Sequence, residues 1–196
     1  KVLQGISEGE NGAAAEFWAA LFLFVMHGKG IQKNYIIFLI LVLAMAGLTW
    51  WGSRPWLFIQ GETEMIAAAP AYPGQALSIS FIHSVQKTPV EEYLTVDDSM
   101  SELVLNSTRY HSFGVGLPFM ESDGEFYQDG DDFVMDHMNR HFDSLSLRTG
   151  LGTKLTLELD NQSYPVYENH EPGYRVDIFI APRAYGITCI KHLFGR

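Results

Sequence analysis

The stretch 76–96, ALSISFIHSVQKTPVEEYLTV, decides the fold. In its first half Leu77, Ile79, Phe81, His83 and Val85 fall on one face, with Ser78, Ser80 and Ser84 on the other. Such alternation with period two marks a half-buried strand. Gln86-Lys87-Thr88-Pro89 reads as a turn. Val90–Val96 reads as a second strand, with Val90, Glu92, Leu94 and Val96 on one face. A turn of that length sets Val85 opposite Val90 and His83 opposite Glu92. Directly opposed side chains have Cβ atoms about 4.5–5.5 Å apart, close enough for an imidazole and a carboxylate to hydrogen-bond.

Downstream the same grammar repeats. Strands are expected at Glu102–Phe113, Ser144–Leu147, Lys154–Leu159, Ser163–Tyr167, Tyr174–Ala181 and Gly186–His192, with Asp160-Asn161 as a hairpin turn. Phe133–Phe142 is the one candidate short helix. Short strands separated by turn residues specify a mainly β fold, an antiparallel β-sandwich or barrel.

Upstream the grammar changes. From Tyr35 to Trp51 the chain reads YIIFLILVLAMAGLTWW without a charge. That falls within the range of about 17–25 residues that cross a bilayer. Trp50, Trp51 and Trp56 lie at its far end, where amphipathic rings favour the headgroup region. Lys29 and Lys33 precede the run and Arg54 follows it, which favours a cytoplasmic N-terminus. A cleaved signal peptide and a buried core helix are the alternatives. The earlier apolar stretch, Ala13–Met26, is short and contains Glu16. The first 25 residues read as an upstream extension, with the working protein starting near Met26. The expected organisation is therefore an extension and cytoplasmic flank (1–34), one transmembrane anchor (35–54), a linker (55–74) and an extracytoplasmic β domain (75–196).

The formal net charge is −10, and from Pro55 onward 9 Lys+Arg face 20 Asp+Glu. This excludes a nucleic-acid binder, which needs a basic stripe to neutralise phosphates. With apolar residues at 47% the chain can build a packed core rather than remain disordered. The single cysteine, Cys189, permits neither an intrachain disulfide nor a thiolate metal cluster.

The candidate binding residues lie on and near the first hairpin: His83, Ser84, Lys87, Glu91 and Glu92. Gly114 and Gly116 join them as a turn that could offer backbone N–H groups to an anion. A carboxylate beside His83 would orient its ring; the bland alternative is a polar pair that pins the hairpin register. No nucleophile stands beside the pair, so no catalytic residue is assigned. The acidic stretch Glu121–Asp132 reads as a solvated loop. His137 and His141 would share a helix face, but no third zinc ligand follows. No metal or cofactor is expected.

The run from Ile79 through Glu92 resembles the opening motif of the domain-of-unknown-function family eighteen-fifty, and Ser112-Phe113-Gly114-Val115-Gly116-Leu117-Pro118 resembles its second, glycine-rich motif. The likeness spans about residues 75–160. Where the family more often shows Gly-Ala-Gly, this chain has Gly-Val-Gly. The resemblance implies a small, singly anchored protein of the kind often encoded beside TRAP transporters of the TAXI type. It thus implies a non-enzymatic accessory role in solute uptake, with the permease or the solute-binding protein as partner. Two other classes stay open. One is a stand-alone extracytoplasmic domain binding a small polar solute. The other is a cysteine transpeptidase, because Cys189, Arg196 and an upstream histidine resemble the residue set of sortases.

Overall fold

The computed structural model describes residues 31–112, 118 and 120–187. The chain divides into two units, one ending at Trp51 and one beginning at Gly52. In the first, α1 (Ile31–Ser53) is apolar on every side, and Lys33–Ser53 is long and apolar enough to cross a membrane. At 1.5 Å per residue those 21 residues extend about 31 Å, close to the hydrocarbon thickness of a bilayer. A helix apolar all round needs either a core or lipid around it. None of this span is buried, and Leu43 and Leu48 are 62% and 63% exposed. The core-helix alternative is thereby removed.

The second unit is a sandwich of two antiparallel sheets. Its strands are β1 (Pro55–Gly61), β2 (Met65–Pro70), β3 (Ala76–Ile82), β4 (Pro89–Val96), β5 (Leu103–Tyr110), β6 (Glu125–Asp129), β7 (Asp132–Asp136), β8 (Arg140–Phe142), β9 (Ser144–Arg148), β10 (Thr156–Leu159), β11 (Gln162–Pro165) and β12 (Arg175–Pro182), with a single helical turn, α2 (Val166–Asn169), after β11. One sheet has the order β2-β1-β12-β9. The other runs β11-β10-β3-β4-β5-β7-β6, with β8 pairing β5 alongside β7. Leu57, Ile59, Val176 and Ile178 of the first sheet meet Leu77, Ile79, Leu94, Leu105 and Leu157 of the second in one core. Each such side chain contributes about 1.5–3 kcal/mol when fully buried.

The expected linker is wrong. Residues 55–74 supply β1 and β2, and only Arg54 separates α1 from β1. Leu57, Phe58 and Ile59 are at most 1% exposed. Leu57 and Ile59 face the core, while Phe58 packs on the opposite face against Phe179 and Tyr185. A strand covered on both sides does not alternate, so it carries no period-two signal.

The expected helix Phe133–Phe142 is also wrong: β7 and β8 occupy it. Left-handed backbone at His137 and Asn139 breaks the segment, and Met138 N–H donates to Asn106 C=O across the break at 2.9 Å. His137 and His141 therefore share no helix face. His141 pairs with Glu102 at 2.7 Å, and among the described residues no group of His, Cys, Asp and Glu is placed to hold a metal ion. The acidic stretch is not a loop either. It includes the hairpin partner β6, and Asp129 and Asp132 both bind Arg109. Residues 184–187 are helical rather than the start of a strand, and the rest of the expected strand Gly186–His192 lies outside the described residues, as do Cys189 and Arg196. Asp160-Asn161 does form a two-residue hairpin turn between β10 and β11, both residues having positive φ, as a twisted type I′ connection requires.

Candidate functional site

The β3–β4 hairpin forms, but its register differs from the expected one. Ile79 stands opposite Glu92, and Ile82 opposite Pro89. His83 N–H donates to Thr88 C=O at 2.8 Å, and His83 C=O accepts from Lys87 N–H at 2.9 Å, so the loop is Ser84–Lys87. The cause is the histidine itself. Its Nδ1 accepts from the backbone N–H of Val85 and Gln86 at 3.3 and 3.2 Å, closing the loop from within. Pro89, which has no N–H to give a ladder, then takes the first position of β4, where proline is tolerated. Each partner moves by an even number of residues, so the expected faces of Leu77–Phe81 and Val90–Val96 survive, while the His83–Glu92 pair does not and Val85, expected on the apolar face, is exposed in the loop. His83 is 8% exposed, whereas Ser84, Val85, Gln86 and Lys87 are all exposed.

Glu92 lies on the inner face with Val90, Leu94 and Val96, between Ile79 on β3 and Thr108 on β5. Thr108 is buried, and its hydroxyl donates to Met138 Sδ at 3.4 Å. Burial raises the Glu92 carboxyl above its ordinary value, and the charge of Arg140 pulls it partly back. Arg140 is itself bound to Asp123. A raised carboxyl binds its proton more tightly in the folded chain than in the unfolded one. Stability therefore falls as pH climbs from the ordinary carboxylate range through the raised value. Glu92→Gln removes the titration. The variant is expected to be the more stable protein at pH 7, with the two urea midpoints converging near pH 4. Parallel curves for wild type and variant across that range would contradict the assignment.

Glu91 points to the other face. It accepts a hydrogen bond from Tyr93, whose hydroxyl is pushed up to about 12 by that bond, and it stands opposite Arg109. The seven residues singled out from the sequence therefore do not converge. His83, Ser84 and Lys87 build the loop, Glu92 faces inward and Glu91 outward, and Gly114 and Gly116 lie outside the described residues. What the fold does join is the two motifs. Val90 pairs with Tyr110, and Thr88 and Ser112 share a hydrogen bond at 3.1 Å. Tyr110, 1% exposed, donates to Pro118 C=O at 2.5 Å. Ser112 and Pro118, the two ends of the second motif, are thus tied to the hairpin's neighbourhood. Arg140 and Asp123 gave no sequence signal, since only the β5–β8 pairing brings that edge toward Glu92.

These elements define a class: a small antiparallel β-sandwich following directly on a bilayer-length apolar helix. More narrowly, residues 77–166 match the family model of the Domain of unknown function (DUF1850). The match takes in every strand of the larger sheet together with β9. No curated protein and no solved structure is significantly similar to the chain.

Proposed function

We propose that this protein is a non-enzymatic accessory subunit of a TAXI-type TRAP solute-uptake system, anchored by α1 with its β domain outside the cytoplasm. The observation that carries the reading is the Ser84–Lys87 loop. Its backbone is held from inside by the His83 ring, while its apex presents Val85, 65% exposed, beside Lys87. A rigid loop with an apolar tip loses little entropy on docking, as a contact surface should. The His83 lone pair is spent on backbone N–H groups, which supports a structural rather than a basic or nucleophilic role. The family resemblance supplies the transport context. The excess of Asp and Glu over Lys and Arg in the domain favours a partner with a basic face. The basic residues flanking the uncharged run Tyr35–Trp51, two before and one after, favour an exported domain.

Detergent-solubilised membranes give the test. Affinity capture of the intact chain is expected to recover the permease or the solute-binding protein, and Val85→Asp is expected to reduce that recovery about tenfold, the scale of one lost interface anchor. Recovery of neither transporter component under mild detergent would overturn the proposal.

A second reading, binding of a small solute by the domain itself, is favoured by a cavity that shares no residue with this loop.

A further inference from the structure

The larger sheet ends at β11 and the smaller at β2. Between those two edge strands the sandwich opens into a cavity of about 230 Å³. Its apolar floor includes Ile66 and Val166, and its polar wall is Glu64, Ser163, Asn169 and His170. We propose that this cavity is a binding site for a small organic ammonium ion, with Glu64 as its counter-ion.

The site is built rather than incidental. The His170 side chain is only 12% exposed, and its Nε2 lies 3.2 Å from Glu64 Oε1. The ring stacks flat on Tyr174, with centroids 3.8 Å apart and planes 3° from parallel. Tyr174 is fixed in turn by Thr63, whose N–H donates to the phenol oxygen at 3.3 Å and whose hydroxyl lies 3.1 Å from it. Thr63 and Glu64 belong to one turn, so the residues that set the ring also supply the carboxylate. Gly61 makes this possible: a Cβ there would lie 2.1 Å from the Tyr174 oxygen.

The chemistry of the wall selects the ligand. Among the described residues no Lys or Arg lines the cavity, so a carboxylate or phosphate would find no fixed cation there, and the acidic domain would repel it. Glu64 gives one oxygen to His170 and keeps another. Ser163 and Asn169 add acceptors, and an ammonium brings three donors. At about 30 Å³ per water the volume equals about eight waters, room for an amine of a few carbons. The site stands apart from the Ser84–Lys87 loop, so its failure would leave the uptake proposal untouched.

The test uses the full chain in detergent with ethylammonium and ethanolamine as probes, and propionate and 1-propanol as anionic and neutral controls of similar size. Calorimetry should show one saturable site for the two amines and none for the controls. Glu64 is 58% exposed, so Glu64→Gln should fold normally; it is expected to weaken amine binding at least about tenfold. Asp98→Asn, in the exposed turn between β4 and β5, should change nothing. The His170 ring carbon resonances should move with ethylammonium while those of His83 stay still. Equal binding of propionate, full affinity in Glu64→Gln, a still His170 signal, or no saturation by either amine at tens of millimolar would each overturn the proposal.

Discussion

Leu41→Arg combined with Leu43→Arg is expected to move the full-length chain from the carbonate-washed membrane pellet into the soluble fraction. Residue 43 is the midpoint of the Lys33–Ser53 span, and both side chains are exposed. An arginine at the centre of a membrane helix costs about 2.5–3.5 kcal/mol on insertion scales, so the pair costs about 5–7 kcal/mol. The same two changes on the exposed surface of a soluble helix would cost almost nothing. The experiment therefore separates lipid from water as the environment of α1. Its companion is the intact mass of the chain recovered from native membranes. A mass that retains Lys33–Ser53 establishes an anchor; a chain beginning beyond Ser53 would show a cleaved signal sequence and sink the anchor reading.

A large loss of stability from adding a single methyl group is expected at Gly124, just before β6. A Cβ there would lie 2.2 Å from the Asp136 carbonyl oxygen, in backbone with φ of +153°. The obstructing atom belongs to β7, whose pairing with β6 starts at Glu125–Asp136 and cannot yield without breaking the ladder. Strain and overpacking together put Gly124→Ala at about 3 kcal/mol. For a chain of this size that lowers the Tm by about 6–12 °C. Amide exchange should show the loss starting in β6 and β7 and reaching the Asp123–Arg140 pair that faces Glu92. A cost under about 0.5 kcal/mol, the level of an ordinary surface change, would mean that the close approach is not present in solution.

The link between that edge and Glu92 shows how little of the site could be seen in one dimension. Glu92 was visible as a carboxylate on an apolar face, because the alternation from Val90 to Val96 puts it there. Its surroundings were not, because they come from Ile79, Thr108 and Arg140 on three other strands. The Glu64–His170 pair is more extreme. Neither residue sits in a motif, and they meet only because the edge strands of two different sheets lie on the same side of the sandwich.

The sequence by itself determined the apolar span, the β class, the inward faces of β3 and β4 and the Asp160-Asn161 turn. All of these rest on local periodicity or on the φ preferences of adjacent residues. The tertiary structure alone decided the register of the opening hairpin. The alternation of Ala76–Val96 is satisfied equally by any even shift, so burial could not choose between them. The choice fell to two backbone N–H groups and the one buried ring nitrogen placed to accept them, that of His83. The tertiary structure also decided that residues 55–74 fold as β1 and β2. Leu57, Phe58 and Ile59 are covered on both faces, and a strand buried on both sides leaves no alternation to read.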